Sequence, residues 1–536
     1  MDKEKIIEKI LKSKIKTRKD LMRIKRNMAR EYNCGLFSNT EMIKVYRKLL
    51  DSNKMKPNFD LEKLLRRRSI RTLSGVAPVA ILTKPFGCPG KCAYCPSEKE
   101  VPQSYLSNEP AVMRAIRCTY NPAIQVKDRL QALINNGHNP TKIELIVMGG
   151  TWSYFPKKYK YWYILNAFAA ANSFSPSSKK NKDKEKYPLK LNLGEMKKAL
   201  LREQKINEKA TYQIIGLTLE TRPDYITNKE VEEMRELGCT RVELGVQQVD
   251  DEILKKNRRG HGIKEVEKAT FVLKNYGFKI TYHLMPGLPG STAKKDFELF
   301  QKLFNDPRFQ PDQIKFYPTV VTRGSLLYSW WKQGKYKPYS SKALQNLIIK
   351  CKQVVPKYVR IIRLIRDIPG ESIVAGNMVT NLRQVMQDKG IQCNCIRCRE
   401  AKDKAFRESD IKLEIENYDA AGGQEYFISF NSKDDSTLFG FIRLFLPGDT
   451  KIGLRKIFGN VAAVRELHVY GELVAVGASK KVQHSGLGKR LIAEAEKIAQ
   501  EFGRDKMVVI SGVGVRGYYR KNGYRLENTY MVKKIK

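Results

Sequence analysis

The sequence predicts an α/β protein of several domains, and three observations carry this prediction. The chain has 536 residues, which is too many for one ordinary domain. Short β-branched segments alternate with helical segments between residues 76 and about 320, a pattern typical of a parallel sheet, open or curled into a partial barrel. Apolar residues make up 42% of the chain and aromatic residues 10%, enough to build hydrophobic cores. We therefore predict a basic helical N-terminal region, a partial barrel of six βα units and a C-terminal α+β domain.

The first element is the basic helical region, which we place at residues 1–75. Residues 1–85 contain 23 Lys or Arg against 9 Asp or Glu, and apolar residues recur at helical spacing in three segments. The region ends in Arg66, Arg67 and Arg68, followed by Arg71. Such a run is usually a solvated face, but its position before the first cysteine group favours a contact with nucleic acid.

The second element, residues 76–370, contains the predicted barrel. Its strands are expected at 76–83, 142–148, 212–219, 240–246, 278–284 and 313–319. In a parallel barrel the chemistry lies at the carboxyl ends of the strands. Polar and glycine-rich segments occur there, at 149–151, 220–222, 247–248 and 286–290.

The third element combines a cysteine-containing linker at 371–405 with an α+β domain at 406–536. Strands are expected at 426–430, 438–446, 461–470, 507–511 and 524–533, and a long helix at 487–502.

The net charge and the absence of long apolar segments limit the classes of partner and the compartment that we expect for the protein. Lys and Arg number 100 against 56 Asp and Glu, a formal net charge of +44 at pH 7. Such a charge on a folded chain indicates a polyanionic partner, because clustered cations neutralise phosphates and release counterions. The alternative is a generally lysine-rich proteome, as in thermophiles. No segment reaches the roughly 18 to 20 apolar residues of a membrane span, and no signal peptide is evident. We expect a cytoplasmic protein without a membrane partner.

Six of the ten cysteines fall in two tight groups, which in a reducing compartment indicates ligation of a metal or cluster. Cys88, Cys92 and Cys95 stand at x3 and x2 spacing in a Gly/Pro loop after the first predicted strand. Three thiolates suit three irons of a [4Fe-4S] cluster and leave the fourth iron open for another ligand. Zinc is the alternative, but it would need a fourth Cys or His, and the next is Cys118.

This spacing, with Tyr94 directly before the last cysteine, resembles the cluster loop of radical S-adenosylmethionine (SAM) enzymes. The resemblance implies that the open iron binds the amino and carboxylate groups of SAM, whose cleavage yields a deoxyadenosyl radical. It also implies roles on the SAM side of the barrel for Gly149, Gly150, Glu220, Arg222 and Gln247. The alternative for the last three is ordinary hydrogen bonding at the barrel mouth.

A second site is indicated in the C-terminal domain, where Gln483, Gly486 and Gly488 precede or begin the long helix. Backbone N–H groups at a helix N-terminus can cradle a pyrophosphate. The segment resembles the acetyl-CoA site of GCN5-related N-acetyltransferases. That resemblance implies that the backbone of Glu466, Leu467, His468 and Val469 pairs with the pantetheine arm. It also implies that Tyr518 or Tyr519 approaches the thioester sulfur, where a phenol could protonate the leaving thiolate; the alternative is aromatic core packing.

Six motifs together resemble the catalytic subunits of Elongator, archaeal ones included. They lie at 71–77, 113–117, 147–151, 220–224, 465–471 and 513–521. The resemblance implies a tRNA carboxymethyluridine synthase that uses acetyl-CoA and SAM. In the implied mechanism, the radical abstracts hydrogen from the acetyl methyl group, the carbon radical adds to C5 of the wobble uridine, and the thioester is hydrolysed.

The same resemblance assigns further residues and partners. Acetyl-CoA contacts are implied for Lys142, Leu487, Gly488, Lys489 and Tyr519, although Lys142 could equally be a surface lysine. Lys315 and Tyr317 match a KxY motif near the barrel mouth and are expected to meet tRNA or substrate. The implied partners are the anticodon stem-loop of tRNA, whose target base must leave its stack, and Elongator-type subunits.

The second cysteine group, Cys393, Cys395 and Cys398, lies in the linker and is predicted to hold zinc with a fourth ligand from elsewhere. Free thiols or another iron–sulfur cluster are the alternatives. Two rival functions also stay open: a protein lysine acetyltransferase of the histone type with a structural cluster, and a tRNA-binding scaffold whose radical site is inactive.

Overall fold

Helices form the N-terminal part of the chain in the computed structural model, which describes residues 2–67, 72, 74–176, 185–378, 382–388, 390–402, 408–471 and 486–535. These helices are α1 Lys3–Lys12, α2 Arg18–Glu31, α3 Asn39–Asp51 and α4 Phe59–Leu65. Thr17 and Ser38 begin α2 and α3 with reciprocal capping boxes to Asp20 and Glu41. Their apolar faces make a core of their own, which leaves most of the basic side chains outside, although Lys25 is buried.

The N-terminal region is joined to the barrel through its basic end. Arg67 donates its backbone N–H to the carbonyl of Asn136 at 3.1 Å, and the Arg66 guanidinium donates to the carbonyl of Gly137 at 3.2 Å. Of the predicted basic run, Arg68 and Arg71 lie outside the described residues.

The first sheet is parallel throughout and has the order β1-β2-β3-β4-β5-β6-β8. Its strands are β1 Ala77–Leu82, β2 Lys142–Met148, β3 Gln213–Thr221, β4 Arg241–Gln247, β5 Lys279–Leu284, β6 Gln313–Phe316 and β8 Arg360–Arg363. The six predicted strands are therefore present in sequence order. The seventh, β8, was missed because its four residues have an Arg at each end and no recognisable period.

Helices connect these strands and cover the sheet, as a parallel sheet requires. They are α5 Pro110–Arg117, α6 Pro122–Asn135, α7 Lys157–Ser173, α8 Leu193–Asn207, α9 Asn228–Glu236, α10 Asp251–Lys256, α11 Ile263–Asn275, α12 Ala293–Asn305, α13 Leu326–Lys332 and α14 Ser341–Val354. Within the described ranges no helix has the length and apolar character needed to cross a membrane.

The linker packs on the amino end of β8. It contains β9 Ile373–Ala375, which pairs antiparallel with β7 Val321–Thr322, followed by α15 Leu382–Asp388 and α16 Ile396–Arg399. Ile396 donates its N–H to the Val359 carbonyl at 2.9 Å, and Arg383 donates to the Ile361 carbonyl at 2.8 Å. The second cysteine group thus lies beside the start of the last barrel strand.

The second sheet has the order β10-β11-β12-β13-β14-β16-β15 and is antiparallel except for the pair β13–β14. Its elements are β10 Ile411–Ala420, β11 Gly423–Ser432, β12 Leu438–Leu446, α17 Gly453–Phe458, β13 Val461–Val469, α18 Leu487–Glu501, β14 Lys506–Val509, α19 Arg516–Arg520, β15 Arg525–Glu527 and β16 Tyr530–Lys534. The edge strand β10 was missed because charged residues alternate along it.

The amino ends of the barrel strands face this second sheet at very close range. A Cβ atom at Gly512 would lie 1.9 Å from the Ile215 carbonyl oxygen, and one at Gly514 would lie 2.6 Å from Cβ of Gln213. Only glycine permits this approach. One hydrophobic core contains residues of both sheets. The domain boundaries at residues 75, 370 and 405 stay predictions.

Candidate active site

The loop with the first cysteine group lies between β1 and α5, and each of its sulfurs accepts a hydrogen bond. The Gly90 N–H reaches Cys88 Sγ at 3.5 Å, the Arg259 guanidinium reaches Cys92 Sγ at 3.4 Å, and the Gln103 amide reaches Cys95 Sγ at 3.4 Å. Burial raises the pKa of the Cys95 thiol to about 12, so a bound cation is needed to hold that sulfur as a thiolate. This donor set fits an iron–sulfur cluster.

Segments that follow the barrel strands hold this loop in place. Ala93 donates its N–H to the Asn257 carbonyl at 3.0 Å and accepts from Leu327 at 2.7 Å. On the other side, Cys88 Sγ lies 3.7 Å from the hydroxyl of Thr151, which follows β2. The cluster loop therefore sits over the end of the sheet where parallel barrels carry their chemistry.

Gly149 and Gly150, which were expected on the SAM side, directly precede Thr151 and differ in what surrounds them. A Cβ atom at Gly149 (φ +115°) would lie 2.3 Å from the Thr83 hydroxyl, so glycine is needed for β2 to close against β1. A Cβ atom at Gly150 (φ +83°) would have no atom within 4 Å. The backbone at Gly150 thus borders open space, which suits the close approach of a cofactor.

Glu220, Arg222 and Gln247 lie at this same end of the barrel, where β3 and β4 end. A Cβ atom at Gly90 would lie 2.2 Å from Arg222 Nη1, which places the guanidinium over the cluster loop. Arg222 also donates to Asp224 at 2.8 and 2.9 Å, while Glu220 accepts from Tyr105 at 3.3 Å.

Two polar atoms of this group are buried without a partner in the described part of the chain, Arg222 Nη1 and Gln247 Oε1. Buried polar groups are nearly always paired, so these two atoms mark a place where a ligand completes the hydrogen bonding. Gln247 also has φ +70°, a left-handed backbone that directs its side chain at the strand end. The residues present therefore fit SAM beside the cluster.

Lys315 and Tyr317 lie inside the barrel. Lys315 is 8% exposed and pairs with Glu243, and the Tyr317 ring lies 5.1 Å from the ring of His283. Burial would raise the pKa of Glu243, but Lys315, His283 and Arg241 hold it well below its usual value. Lys315 is therefore a buried ion-pair partner and not part of a basic surface.

Further charged or titratable side chains lie inside the barrel next to the pair of Lys315 and Glu243. His283 lies 3.5 Å from Glu220 and donates to the Glu243 carboxylate at 3.0 Å, and Arg241 pairs with Glu144 at 2.9 Å. Glu243, His283 and Arg241 were missed by sequence reasoning. The available signal was a charged or titratable residue within otherwise apolar strands, such as RVELGVQ in β4.

A cavity of about 180 Å³ lies between the amino end of the barrel and the second sheet. Barrel residues that line it include Glu144, Arg241 and Lys279, and the opposite wall includes residues 466–468 of β13 and Tyr519. The predicted acetyl-CoA strand thus faces the end of the barrel opposite to the cluster loop, and the charged side chains of the interior lie between the two.

The backbone of β13 is arranged to pair with an extended ligand. Its register with β14 covers Val461 to Val464 only, so the edge of Glu466, Leu467, His468 and Val469 on that side is left unpaired within the described chain. An unpaired strand edge offers N–H and C=O groups to an extended partner. This fits the pantetheine arm of acetyl-CoA.

The N-terminus of α18 carries further residues that were expected to bind acetyl-CoA. Gly486 caps the helix with φ +84°. Leu487, which follows it, is buried, Gly488 is partly buried and Lys489 is exposed. Gln483 lies outside the described residues. A Cβ atom at Gly488 would lie 2.7 Å from the Tyr518 hydroxyl. The first turn contains no acidic side chain, so its free N–H groups fit a pyrophosphate.

Three side chains set the electrostatics of the cavity. Burial would raise the pKa of Glu466, but Lys279 and Arg443 hold it at about 2. Burial lowers the pKa of His468 to about 4, and its Nε2 has no partner among the described residues. Burial raises the pKa of Tyr519 well above its usual value. At pH 7 the cavity therefore holds a carboxylate, a neutral imidazole and a protonated phenol.

Lys142 begins β2 at this same end of the barrel. It pairs in register with Gln213, which touches the Gly514 segment of the second sheet. Burial lowers the pKa of Lys142. The structure thus brings Lys142 to the domain boundary and not to an open surface.

The second cysteine group is compact. The sulfurs of Cys393, Cys395 and Cys398 all lie within 4.8 Å of one another, and the Arg383 guanidinium is 3.8 Å from Cys398 Sγ. Sulfurs on one tetrahedral zinc ion are about 3.8 Å apart, given Zn–S bonds of about 2.3 Å. The spacing therefore fits a single metal ion.

The fold and these sites define a radical SAM enzyme joined to an acetyltransferase domain. Residues 83–303 match the Radical SAM superfamily, residues 311–390 the Radical_SAM C-terminal domain, and residues 396–524 the Acetyltransferase (GNAT) family.

Similar proteins narrow the family further. The chain is 43% identical to "tRNA uridine(34) acetyltransferase" of Dehalococcoides mccartyi (strain CBDB1), over 87% of this chain and 99% of that protein. It is 37% identical to human "Elongator complex protein 3", over 96% of this chain and 93% of that protein. The solved structure of Methanocaldococcus infernus Elp3 with an N-terminal deletion (1-46) has a TM-score of 0.71 and 38% identity, over 86% of this chain and 99% of that chain. The chain belongs to the family of tRNA uridine(34) acetyltransferases and Elongator complex protein 3.

Proposed function

We propose that the protein places a carboxymethyl group on C5 of the wobble uridine of tRNA, using acetyl-CoA and SAM. The position of the cavity between the two domains carries this proposal. Its walls are the acetyl-CoA strand and the amino end of the barrel, so an acetyl group held there faces the radical domain. Relatives named tRNA uridine(34) acetyltransferase support uridine 34 of tRNA as the target.

When bound, the cluster and SAM supply the radical chemistry that activates the acetyl methyl group. Cys88, Cys92 and Cys95 would hold the cluster, while Gly150 and Arg222 would position SAM beside it. In the second domain, the unpaired edge of β13 and the first turn of α18 would bind acetyl-CoA.

The side chains of the cavity support the proton transfers that release the product. The Tyr519 phenol is protonated at pH 7 and lines the cavity, so it can donate a proton to the leaving thiolate. Neutral His468, with Nε2 unpaired in the described chain, can accept a proton from the water that hydrolyses the thioester.

We infer that the Cys393, Cys395 and Cys398 group holds zinc as a structural ion, because its sulfurs match the spacing of one tetrahedral metal. We also infer that tRNA binds through the basic N-terminal region in the cytoplasm and that Elongator-type subunits are possible partners. A net charge of +44 predicts tRNA binding that weakens steeply with salt.

The decisive experiment is anaerobic reconstitution with iron, sulfide, reductant, SAM, acetyl-CoA and tRNA, followed by mass spectrometry of the nucleosides. We expect carboxymethyluridine from the native protein and none when SAM is omitted. A parallel reaction offers a basic histone-type peptide in place of tRNA. Acetylated peptide without any modified uridine would overturn the proposal in favour of a lysine acetyltransferase.

A further inference from the structure

Aromatic rings form a continuous contact chain beside the cluster loop. Phe86, two residues before Cys88, stacks on Phe155 with centroids 4.8 Å apart, and Phe155 stacks on Tyr159 at 4.9 Å. Tyr154 lies 5.9 Å from Phe86 and 5.9 Å from Tyr225. We call these five rings the aromatic step.

The outer part of the aromatic step is exposed although its base is buried. Phe86 is 38% exposed and Tyr154 is 42% exposed, whereas Phe155 and Tyr159 are each 5% exposed. Single exposed aromatic side chains are common and need no explanation. Phe86 and Tyr154 differ, because Phe86 stacks on buried Phe155 and Tyr154 packs between Phe86 and Tyr225, so less conformational entropy is lost when a ligand stacks on them.

The aromatic step borders the candidate active site. Tyr154 ends a short helical turn, Trp152–Tyr154, that follows Thr151, and the Thr151 hydroxyl lies 3.7 Å from Cys88 Sγ. A Cβ atom at Gly87 would lie 3.9 Å from the Tyr154 ring. A ligand that stacks on Phe86 or Tyr154 would therefore lie next to the cluster loop.

One lysine contacts the aromatic step and two others are close to it in the sequence, which points to an anionic partner. Lys84 Nζ lies 5.1 Å from the Tyr159 ring, and Lys91 and Lys158, which follow Phe86 and precede Tyr159 in the chain, are exposed. Proteins that bind single-stranded nucleic acid combine these two features, since bases stack on the rings and phosphates contact the cations. An apolar protein partner would not account for the lysines.

We infer that Phe86 and Tyr154 stack on unpaired bases of the anticodon loop next to the target uridine. The inference rests on the proposed function, because it assumes that tRNA is the substrate. Stacking uses the face of a base, so the aromatic step would select unpaired RNA over duplex RNA without selecting a sequence. It would also keep the neighbouring bases ordered while the target uridine leaves its stack.

The test measures RNA binding by the full-length protein and needs no turnover. The variants are Phe86→Leu and Tyr154→Leu, with Phe502→Leu as the matched control. Phe502 is 50% exposed and lies beside Tyr426 in the second domain. Each protein is titrated with an anticodon stem-loop RNA and with a blunt RNA duplex of equal charge, and fluorescence anisotropy reports both affinities. A stem-loop with 2-aminopurine beside the target uridine reports stacking directly.

We expect Phe86→Leu and Tyr154→Leu each to weaken stem-loop binding about 5- to 100-fold and to leave duplex binding unchanged. Each should also abolish the quenching of 2-aminopurine. The Phe502→Leu control should behave like the native protein, and Tyr154→Phe should retain stem-loop affinity because it keeps the ring. Equal losses for stem-loop and duplex, or no loss for either, would overturn the inference. So would weaker SAM binding by the reconstituted variants with unchanged RNA affinity, because the rings would then serve the cofactor.

This test can fail or succeed independently of the proposed reaction. Stem-loop binding that depends on the aromatic step would stand even if no carboxymethyluridine formed. Conversely, product formation by the native protein together with unchanged stem-loop affinity in both variants would refute the aromatic step alone.

Discussion

The two ends of the barrel differ in how completely their polar groups are paired. At the carboxyl end, Arg222 Nη1 and Gln247 Oε1 have no partner in the described chain, and Gly150 borders open space. At the amino end, Asp312 and Arg465 are fully buried and bonded to each other at 3.0 Å between domains.

The amino-end network includes more charges than this pair. Lys274 pairs with Glu425 at 2.7 Å, Glu425 also contacts Arg465, and Arg443 pairs with Glu466 at 3.1 Å. Burying a charge is costly unless it is paired and hydrogen-bonded, and here the pairing is dense. The comparison teaches that the amino end pairs its buried charges mainly with one another, leaving His468 Nε2 unpaired beside the cavity, whereas the carboxyl end leaves Arg222 and Gln247 for a ligand to complete.

The two cysteine groups also lie at opposite ends of the barrel. The linker group lies beside the amino end of β8 and has its sulfurs within 4.8 Å, close enough for one ion. Cys88, Cys92 and Cys95 are all among the described residues, and their three sulfurs do not all lie within 4.8 Å of one another. Ligands on three different irons must stand farther apart than ligands on one zinc ion.

The largest expected effect is on the carboxyl end, from Cys92→Ala. We expect loss of the cluster absorbance and no detectable carboxymethyluridine, with a thermal midpoint close to that of the native protein, because the loop contributes little to the core. Cys34→Ser is the control and should retain both iron and product. Undiminished product from the Cys92→Ala protein would contradict the assignment of the cluster loop.

The next effect is on the amino end, from Asp312→Asn. The change removes the negative charge that faces the buried cations Arg465, Arg443 and Lys274. Breaking a buried ion pair of this kind costs about 3–5 kcal/mol. Thermal unfolding should detect a drop of several degrees. The control is Asp306→Asn, which breaks a pair with the half-exposed Arg308 and should cost less than about 1 kcal/mol. Equal midpoints for the two variants would show that the buried network does not hold the domains together.

A smaller effect is expected from Cys395→Ala. We predict loss of about one zinc per chain and a destabilisation of about 2–3 kcal/mol, with the iron content of the cluster loop unchanged. Cys351→Ala removes an equally buried cysteine outside the group and controls for lost packing. Metal analysis that finds no zinc in the native protein, or the same zinc content in both variants, would refute the zinc assignment.

The sequence predicted those parts of the molecule whose signal is local. Cys88, Cys92 and Cys95 lie within eight residues of one another, and six barrel strands are long enough to recognise. The strand β8 was missed because it has four residues, and β10 because an exposed edge strand with alternating charges looks like a surface loop.

The interior of the barrel could not be predicted for a different reason. Glu243, His283 and Lys315 come from β4, β5 and β6, and they meet only when the sheet is assembled. Parallel strands are buried on both faces, so the sequence has no alternation that tells an inward side chain from an outward one. The expectation that Lys315 meets tRNA or substrate near the mouth came from the family resemblance alone, and in the structure its side chain pairs with the buried carboxylate of Glu243.

The smallest effect concerns the pH dependence of the amino end and is tested with His468→Gln. Burial lowers the pKa of His468 to about 4, with Arg360 and Lys279 also disfavouring its charge and Glu466 and Glu400 favouring it. The unfolded chain, with an ordinary pKa near 6.5, binds the proton more readily than the folded chain. The stability from neutral His468 is therefore complete above about pH 6.5 and is lost as the pH falls toward 4.

Between pH 7 and pH 5 the native protein should consequently lose up to about 2 kcal/mol more stability than the His468→Gln protein. Urea unfolding followed by tryptophan fluorescence at both pH values measures this difference. The Glu466 carboxylate, with a pKa of about 2, stays ionised throughout this range and does not contribute. Parallel pH profiles for the two proteins would mean that His468 titrates like a solvated imidazole, and water would then reach this side chain at the amino end.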